Sequence, residues 1–290
     1  MDFVTNRATG DHHDFEPNPL TAEQVAQVSA AIAGDGDLPA YPVYALMVDL
    51  LAYTGLRASK NSGLEVQDLE FRTAAGTVRC VVHVRRPKDR KQTPQGGQWV
   101  TSTPKSKRSK RPVTLPPWLA ARMHAYLFGD DAVHPRSAEP TAPLWPSRQN
   151  CGGLRLAGQR VAVPFDWSQP MAMGTFYDTI FKPALLAVGL PASAPATETT
   201  APVRGVRLHD LRHTFAVMQL MAGTHFMQVS KWLGHSTFTL TLNTYGDWIP
   251  EEDGGAANLL PEPAAPAGIT PAPVVELPSN VVPLFGRRSG

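Results

Sequence analysis

A histidine and an arginine three residues apart are the first arrangement in the sequence that could do chemistry. They belong to the run His209-Asp-Leu-Arg212-His213, and on a helix residues three apart share a face. An imidazole beside a guanidinium offers hydrogen-bond donors to a phosphate whose negative charge grows in a transition state. We therefore predict a phosphate-directed site around His209 and Arg212.

His213 keeps a second chemistry open, because two histidines four residues apart on a helix can bind zinc. The zinc-protease pattern has a glutamate after the first histidine, where this sequence has Asp210, and no third ligand follows at an obvious spacing. A buried core histidine is the simpler interpretation of His213. A zinc hydrolase built on His209 and His213 is a weaker alternative, and we expect no metal and no other cofactor.

Tyr245 is the third candidate, ten residues after the His235 of the turn Leu233-Gly-His235-Ser. A tyrosine hydroxyl with its ordinary pKa near 10 is a poor nucleophile unless a base accepts its proton or cations stabilise its anion. Nearby guanidinium groups would supply that stabilisation. Most single tyrosines only pack, but Tyr245 follows the polar residues Asn243 and Thr244 and adjoins no strongly apolar face.

Basic residues are concentrated in one stretch of a chain whose net charge is only +2. A solvated hairpin is the plain interpretation of such a run, in which only Asp89 is acidic. A polyphosphate partner is the functional one, because a dense group of cations releases counterions when it binds nucleic acid. The cations of the run are Arg85, Arg86, Lys88, Arg90, Lys91, Lys105, Lys107, Arg108, Lys110 and Arg111.

The hydrophobic pattern predicts mostly helices with a small antiparallel sheet, an α+β fold. Thr21 to Gln24 reads as a capping box that opens a helix ending at Gly34, and further helices are predicted over 41–56, 59–66, 117–128, 175–188, 209–221, 225–233 and 236–248. Strands are predicted over 68–72, 77–84 and 111–115. The irregular stretch 129–174 permits little assignment.

The chain divides by composition into a flexible leader over 1–18, one domain over 19–250 and a proline- and alanine-rich tail over 251–290. No apolar run reaches the length of a membrane span, so we expect no membrane partner. The two cysteines, Cys80 and Cys151, form no disulfide or metal pattern and are read as free thiols of a cytoplasmic protein.

Five short motifs then occur in one order, each weak alone. They are Thr54-Gly-Leu-Arg57, Lys105 ahead of the third strand, His209-Asp-Leu-Arg212-His213-Thr-Phe-Ala, Leu233-Gly-His235 and Thr244-Tyr245-Gly. Together they resemble the catalytic domain of the tyrosine recombinases, the phage-integrase family of site-specific recombinases. The resemblance extends over about four fifths of the chain and implies the fold of that catalytic domain.

The resemblance also implies a mechanism, in which DNA is cut and rejoined through a 3′-phosphotyrosyl link without a cofactor. Tyr245 would attack the scissile phosphate, and Arg57 and Arg212 would bind its non-bridging oxygens. Lys105 would protonate the departing 5′ oxygen. His209 would act as the acid–base partner, and His235 would donate a further hydrogen bond to the phosphate.

The partners expected from the resemblance are double-stranded DNA, further copies of the chain in a tetramer on DNA, and a directionality factor. Arg85, Arg86, Lys88, Lys107, Arg108 and Lys110 are expected to contact the DNA. Related recombinases pass a C-terminal segment to a neighbouring subunit, so we expect residues 281–285 of the tail to dock on another copy.

Two departures from the family pattern keep a different function open. The position three residues after Arg57, commonly an acid in the family, is Lys60, and a second cation beside Arg57 adds repulsion. Family members also carry a helical DNA-gripping domain ahead of the catalytic one, whereas at most twenty residues precede the first predicted helix here. The alternative is a DNA-binding remnant of an integrase that does not cleave.

Overall fold

The structure is a computed structural model that describes residues 17–94, 96–102, 110–130, 132–149, 155–156, 159–197 and 199–249. All of these residues lie in one compact unit, Met1–Pro250. The tail 251–290 and most of the predicted leader lie outside the described residues, as does the docking segment 281–285. No helix in the described part of the chain is long and apolar enough to span a membrane.

Helices α1 (Ala22–Ala33) and α2 (Pro42–Thr54) pack against each other and begin the core. The predicted capping box is confirmed: the Thr21 hydroxyl accepts a hydrogen bond from the Gln24 backbone, and the Gln24 side chain accepts one from Thr21. Gly34 ends α1 in the left-handed conformation. Eleven of the thirteen residues of α2 are buried, so this helix is the centre of the large hydrophobic cluster.

The short helix α3 (Ala58–Ser62) follows, and it ends earlier than the predicted Val66. It ends at Gly63, where a Cβ would lie 2.3 Å from the carbonyl oxygen of Arg86. The chain must therefore cross another segment closely at Gly63. A single 3₁₀ turn, Val66–Asp68, then leads into the sheet.

The predicted antiparallel sheet is present as β1 (Leu69–Ala74), β2 (Thr77–Val84) and β5 (Arg111–Thr114), with β2 in the centre. Between β2 and β5 the chain forms a second hairpin, β3 (Lys88–Thr93) and β4 (Gly96–Thr101). A solvated hairpin was the plain interpretation of this basic run, but no strands were predicted in it. Charged and polar residues dominate β3, so it lacks the apolar alternation that would have marked it as a strand.

Helix α4 (Pro117–Phe128) covers β2, as its apolar face requires. The proline-rich stretch beyond it contains β6 (Pro146–Arg148), which pairs with β9 (Phe165–Pro170), and the two-residue strands β7 (Arg155–Leu156) and β8 (Gln159–Arg160). Strands β6, β7 and β8 are too short to be predicted from periodicity.

The helix predicted over 175–188 is divided in three: α5 (Met173–Phe176), a π-helical turn (Tyr177–Phe181) and α6 (Lys182–Ala187). Pro183 has no N–H to donate to the carbonyl four residues earlier, so a regular α-helix cannot run through this point. The wider π turn takes the place of regular α-helix here.

The last three predicted helices are present as α7 (Asp210–Met221), α8 (Phe226–Leu233) and α9 (Phe238–Tyr245), followed by a 3₁₀ turn. Helix α7 packs on α2, and α8 packs on α9. A second, smaller hydrophobic cluster joins these helices and includes Phe215, Val229, Leu233 and Tyr245. The fold thus places the end of α9 on the side of α7 that carries the histidines.

Candidate active site

Five segments, distant in sequence, converge at one end of α7. They are the turn between α2 and α3, which carries Arg57, the start of β5 with Arg111, the first turns of α7, the turn after α8 with His235, and the end of α9 with Tyr245. The N-terminal segment also reaches this region, where the backbone N–H of Leu20 donates to the hydroxyl of Thr214 at 2.8 Å.

Arg212 lies at the centre of this region with its side chain almost fully buried. Its Nη1 donates to the carbonyl of Gly55 at 2.6 Å, and its Nη2 donates to the carbonyl of Leu233 at 2.8 Å. Both carbonyls lie at helix C-termini, where they lack helical partners and carry the negative end of the helix dipole. The ends of α2 and α8 therefore hold the buried guanidinium, and two of its five N–H donors are used to do so.

Arg111 is held in a similar way. Its Nε donates to the carbonyl of Trp232 at 2.5 Å, one residue before the carbonyl that Arg212 uses. The C-terminus of α8 thus receives two guanidinium groups from two different elements.

Gly55 allows α2 to end so close to α7. Its φ of 62° lies in the left-handed region, and a Cβ would lie 2.7 Å from the ring of Phe215 and 2.9 Å from Leu233. Arg57 follows two residues later, so this close packing fixes where its backbone leaves the helix.

Arg57 is exposed, and its charge acts on several members of the site. Burial and the charges of Arg57 and Arg111 lower the pKa of Arg212 to about 9. Burial and then the charge of Arg57 lower the pKa of Arg111 to about 10. The site therefore carries a strong positive potential, which is suited to an anion.

The side chains of His213 and Tyr245 form a hydrogen bond between the imidazole Nδ1 and the phenol oxygen, at 2.7 Å. Burial raises the pKa of Tyr245 to about 12, against the lowering effect of Arg212. Burial and neighbouring His209 lower the pKa of His213 to about 4. Near neutral pH a protonated phenol thus meets an uncharged imidazole, which is a complementary donor and acceptor pair.

His235 is buried, and its Nδ1 lies 2.8 Å from the hydroxyl of Thr241. Burial is the largest cause, and the charges of Arg212, Arg57 and Arg111 add to it, in lowering the pKa of His235 to about 3. The ring is therefore neutral at physiological pH. A threonine hydroxyl that donates to Nδ1 leaves the ring proton on Nε2.

His209 caps the N-terminus of α7 and keeps exposed surface. Partial desolvation, followed by the charges of Arg212 and Arg57, lowers its pKa below the ordinary value. Its ring centre lies 5.0 Å from that of His213. The structure therefore places His209 near Arg57 and Arg212, whereas the histidine bonded to the Tyr245 hydroxyl is His213.

Lys60, the cation at the position where the family commonly has an acid, is buried within the same positive region. Its Nζ has no hydrogen-bond partner in the part of the chain that the structure describes. Desolvation is the largest cause that lowers its pKa, followed by the charges of Arg111, Arg57 and Lys110. The repulsion expected at this position is therefore present.

Part of the predicted basic surface is neutralised by acids from outside the run. Arg85 bonds to Asp68 at 2.6 Å, and Arg86 bonds to both Asp68 and Glu65. Lys88 bonds to Glu65 at 3.1 Å. These three cations thus form ion pairs close to the point where Gly63 crosses the segment at Arg86. Only Arg85 keeps an exposed side chain.

The other predicted DNA-contacting residues are Lys110, Lys107 and Arg108. Lys110 is exposed, and its charge acts on buried Lys60. Lys107 and Arg108 lie outside the described residues, as does Lys105, the predicted proton donor. The placement of these three thus stays a prediction.

From the sequence alone, His213 had no predicted chemistry beyond the zinc alternative, and Arg111 had no predicted role of its own. His213 and Tyr245 are 32 residues apart, so no local spacing could have paired them. Arg111 was one cation among ten in a run, and only its bond to Trp232 separates it from the others. Among the described residues, no group of three His, Cys, Asp or Glu side chains is arranged to hold a metal ion.

Comparison with known proteins gives a match to solved structures alone. No family model and no curated protein matches the chain. The Tn1549 transposon integrase in complex with a circular intermediate DNA matches with a TM-score of 0.54 and 20% identity, over 86% of this chain and 66% of that one. The same integrase in complex with transposon right end DNA matches equally.

The chain thus spans about two thirds of the length of these integrase chains. At this level of identity the likeness shows the fold. The α+β fold expected from the resemblance to tyrosine recombinases is therefore confirmed, with its small antiparallel sheets and its helical core.

Proposed function

We propose that the chain is a site-specific DNA recombinase that cuts and rejoins DNA through a phosphotyrosyl intermediate at Tyr245. The observation that carries the proposal is the Tyr245–His213 hydrogen bond beside the buried guanidinium of Arg212. A tyrosine that attacks a phosphodiester needs a base that accepts its proton and cations that stabilise the developing charge. The neutral imidazole and the guanidinium groups would supply these two functions.

In the proposed step the phenol oxygen of Tyr245 attacks the scissile phosphorus. A bond forms between that oxygen and phosphorus, and the bond to the 5′ oxygen of the departing strand breaks. The phenol proton passes to Nδ1 of His213, whose ring is neutral at neutral pH and lies within hydrogen-bond distance of the phenol. The departing oxygen takes a proton from a general acid, for which Lys105 is the expected residue. Attack by a 5′ hydroxyl on the phosphotyrosine reverses these steps and rejoins the strand.

The cations of the site stabilise the charge that develops on the phosphate. Arg57 is exposed and available to DNA, and Arg212 keeps N–H donors beyond the two that bind carbonyls. His235 would donate from Nε2, because Nδ1 faces Thr241. Preorganised donors of this kind each contribute roughly 10²–10³-fold in rate.

Tyr245 must become accessible before it can react, since only 2% of the residue is exposed. It lies at the end of α9, where the small hydrophobic cluster and Trp248 cover it. We propose that DNA binding uncovers the phenol through a local shift of the end of α9.

A nicked suicide substrate tests the proposal. The full chain is incubated with the DNA and the products are resolved on a denaturing gel. We expect a covalent protein–DNA adduct that Tyr245→Phe abolishes and that Tyr53→Phe, a matched change on α2, leaves unchanged. DNA binding without an adduct would instead support the non-cleaving remnant, for which the cation at Lys60 is the specific argument. An adduct that persists in Tyr245→Phe would refute the choice of nucleophile.

A further inference from the structure

Within the described residues, two buried nitrogen atoms have no hydrogen-bond partner, Nζ of Lys60 and Nη2 of Arg111, and the charge of Arg57 acts on both side chains. Lys60 is 7% exposed, and Arg111 is anchored through its Nε to the carbonyl of Trp232. Buried polar atoms in native proteins almost always have a partner, so each exception requires an explanation. The charge of Arg111 acts on Lys60, so the two cationic exceptions are explained together.

Charge strengthens this requirement. The charges of Arg111, Arg57 and Lys110 all act on Lys60, and all disfavour its protonated form. No carboxylate in the described part of the chain forms an ion pair with Arg57, Lys60 or Arg111. The nearest acid along the chain, Glu65, is already bound to Arg86 and Lys88. A buried cation without a counter-charge is costly, so the region lacks an anion.

We propose that Lys60 and Arg111 form a binding site for a phosphate group, whose oxygens replace the carboxylate that this position lacks. Both groups present free donors to it. Arg57 is exposed at the same place, and Lys110 adds a second exposed cation. Because the two nitrogen atoms are themselves covered, a phosphate attracted by exposed Arg57 and Lys110 reaches them through a local shift of the side chains, on the side where the proposed function brings the DNA backbone. The expected occupant is a backbone phosphodiester of the DNA, and this part of the inference rests on the proposed function.

Thermal unfolding of the full chain tests the site without DNA. Sodium phosphate is compared with sodium chloride at equal ionic strength. We expect phosphate to raise the Tm of the wild type, because a ligand that binds only the folded state stabilises it. Lys60→Met, which keeps the length of the side chain and removes the charge, should lose that rise. Lys182→Met, on α6, is the matched control and should keep it.

A second variant separates loss of the site from loss of the fold. Lys60→Glu should form an ion pair with Arg111, raise the Tm in chloride alone and remove the response to phosphate. No phosphate-specific rise in the wild type, or an undiminished rise in Lys60→Met, would overturn the proposal and leave a buried water as the partner of Nζ.

The salt dependence of DNA binding tests whether the bound anion is a DNA phosphate. The slope of log Kd against log salt should become shallower by about 0.9 in Lys60→Met, the value for one phosphate contact. An unchanged slope together with a lost response to inorganic phosphate would overturn the DNA phosphate as the occupant. A wild type that responds to phosphate but forms no adduct would refute the proposed function and leave the anion site standing.

Discussion

The chemistry of individual residues in this protein is set mainly by burial. The pKa values of Tyr245, His213 and His235 move to about 12, 4 and 3. In each case desolvation of the charged form is the largest cause. The result is a phenol and two imidazoles that are all neutral at physiological pH, although guanidinium groups lie close by.

At the residue scale, His213 is expected to take the proton of Tyr245. His213→Ala should lower the rate of adduct formation by about 10²–10³-fold, within the range that general bases contribute, with little change in DNA affinity. Rates on the suicide substrate and Kd for uncleaved DNA are the two measurements. His213→Asn offers an amide near the position of Nδ1 but cannot accept a proton. Full activity in that variant would show that His213 only positions the phenol.

Helix ends organise the site at the scale of elements. The C-termini of α2 and α8 supply the carbonyls that hold Arg212 and Arg111, and left-handed glycines end both helices. The arrangement depends on how tightly α2, α7 and α8 meet at Gly55.

Gly55→Ala is therefore expected to lower the unfolding free energy by roughly 2–3 kcal/mol. The new methyl group meets the ring of Phe215, and a positive φ disfavours alanine. Gly223→Ala is the control, because φ there is 79° while nothing lies within 4 Å of a Cβ. It should cost only about 1 kcal/mol. Equal losses in urea unfolding would show that the contact with Phe215 contributes nothing.

Elements with a clear local signal could be predicted from the sequence. The capping box of α1, the three strands of the main sheet and the three helices that carry the site all had caps, glycine stops or regular apolar spacing. The β3–β4 hairpin and the π turn had none, because a polar strand and a proline inside an apolar helix are decided by packing elsewhere. The site follows the same division. The arginine and histidine motifs are local and could be predicted, whereas the surroundings of His213 and Lys60 depend on segments that are distant in sequence.

At the scale of the whole molecule, the unfolding free energy should depend on pH through the buried histidines. The pKa values of His213 and His235 in the folded state lie below the ordinary 6.5. Between about pH 6.5 and 4 the unfolded chain therefore binds protons that the folded chain does not. Stability is complete above this window and falls as the pH is lowered through it.

Urea unfolding at pH 7.5, 6.5 and 5.5 measures this effect. We expect a nearly constant unfolding free energy down to pH 6.5 and a decline below it. The slope of unfolding free energy against pH reports the difference in bound protons between the unfolded and folded chains. His213→Asn should lower that difference by up to one proton, because one buried imidazole is then absent. A slope that is the same in the variant would contradict the neutral, buried state assigned to His213.

Mapping the covalent link is the most direct test of the central claim. The adduct from the suicide substrate is digested with protease and nuclease, and the modified peptide is sequenced by mass spectrometry. We predict a nucleotide joined through a 3′ phosphate to the phenol oxygen of Tyr245. A link at any other residue, or no link on a substrate that the protein demonstrably binds, would contradict it.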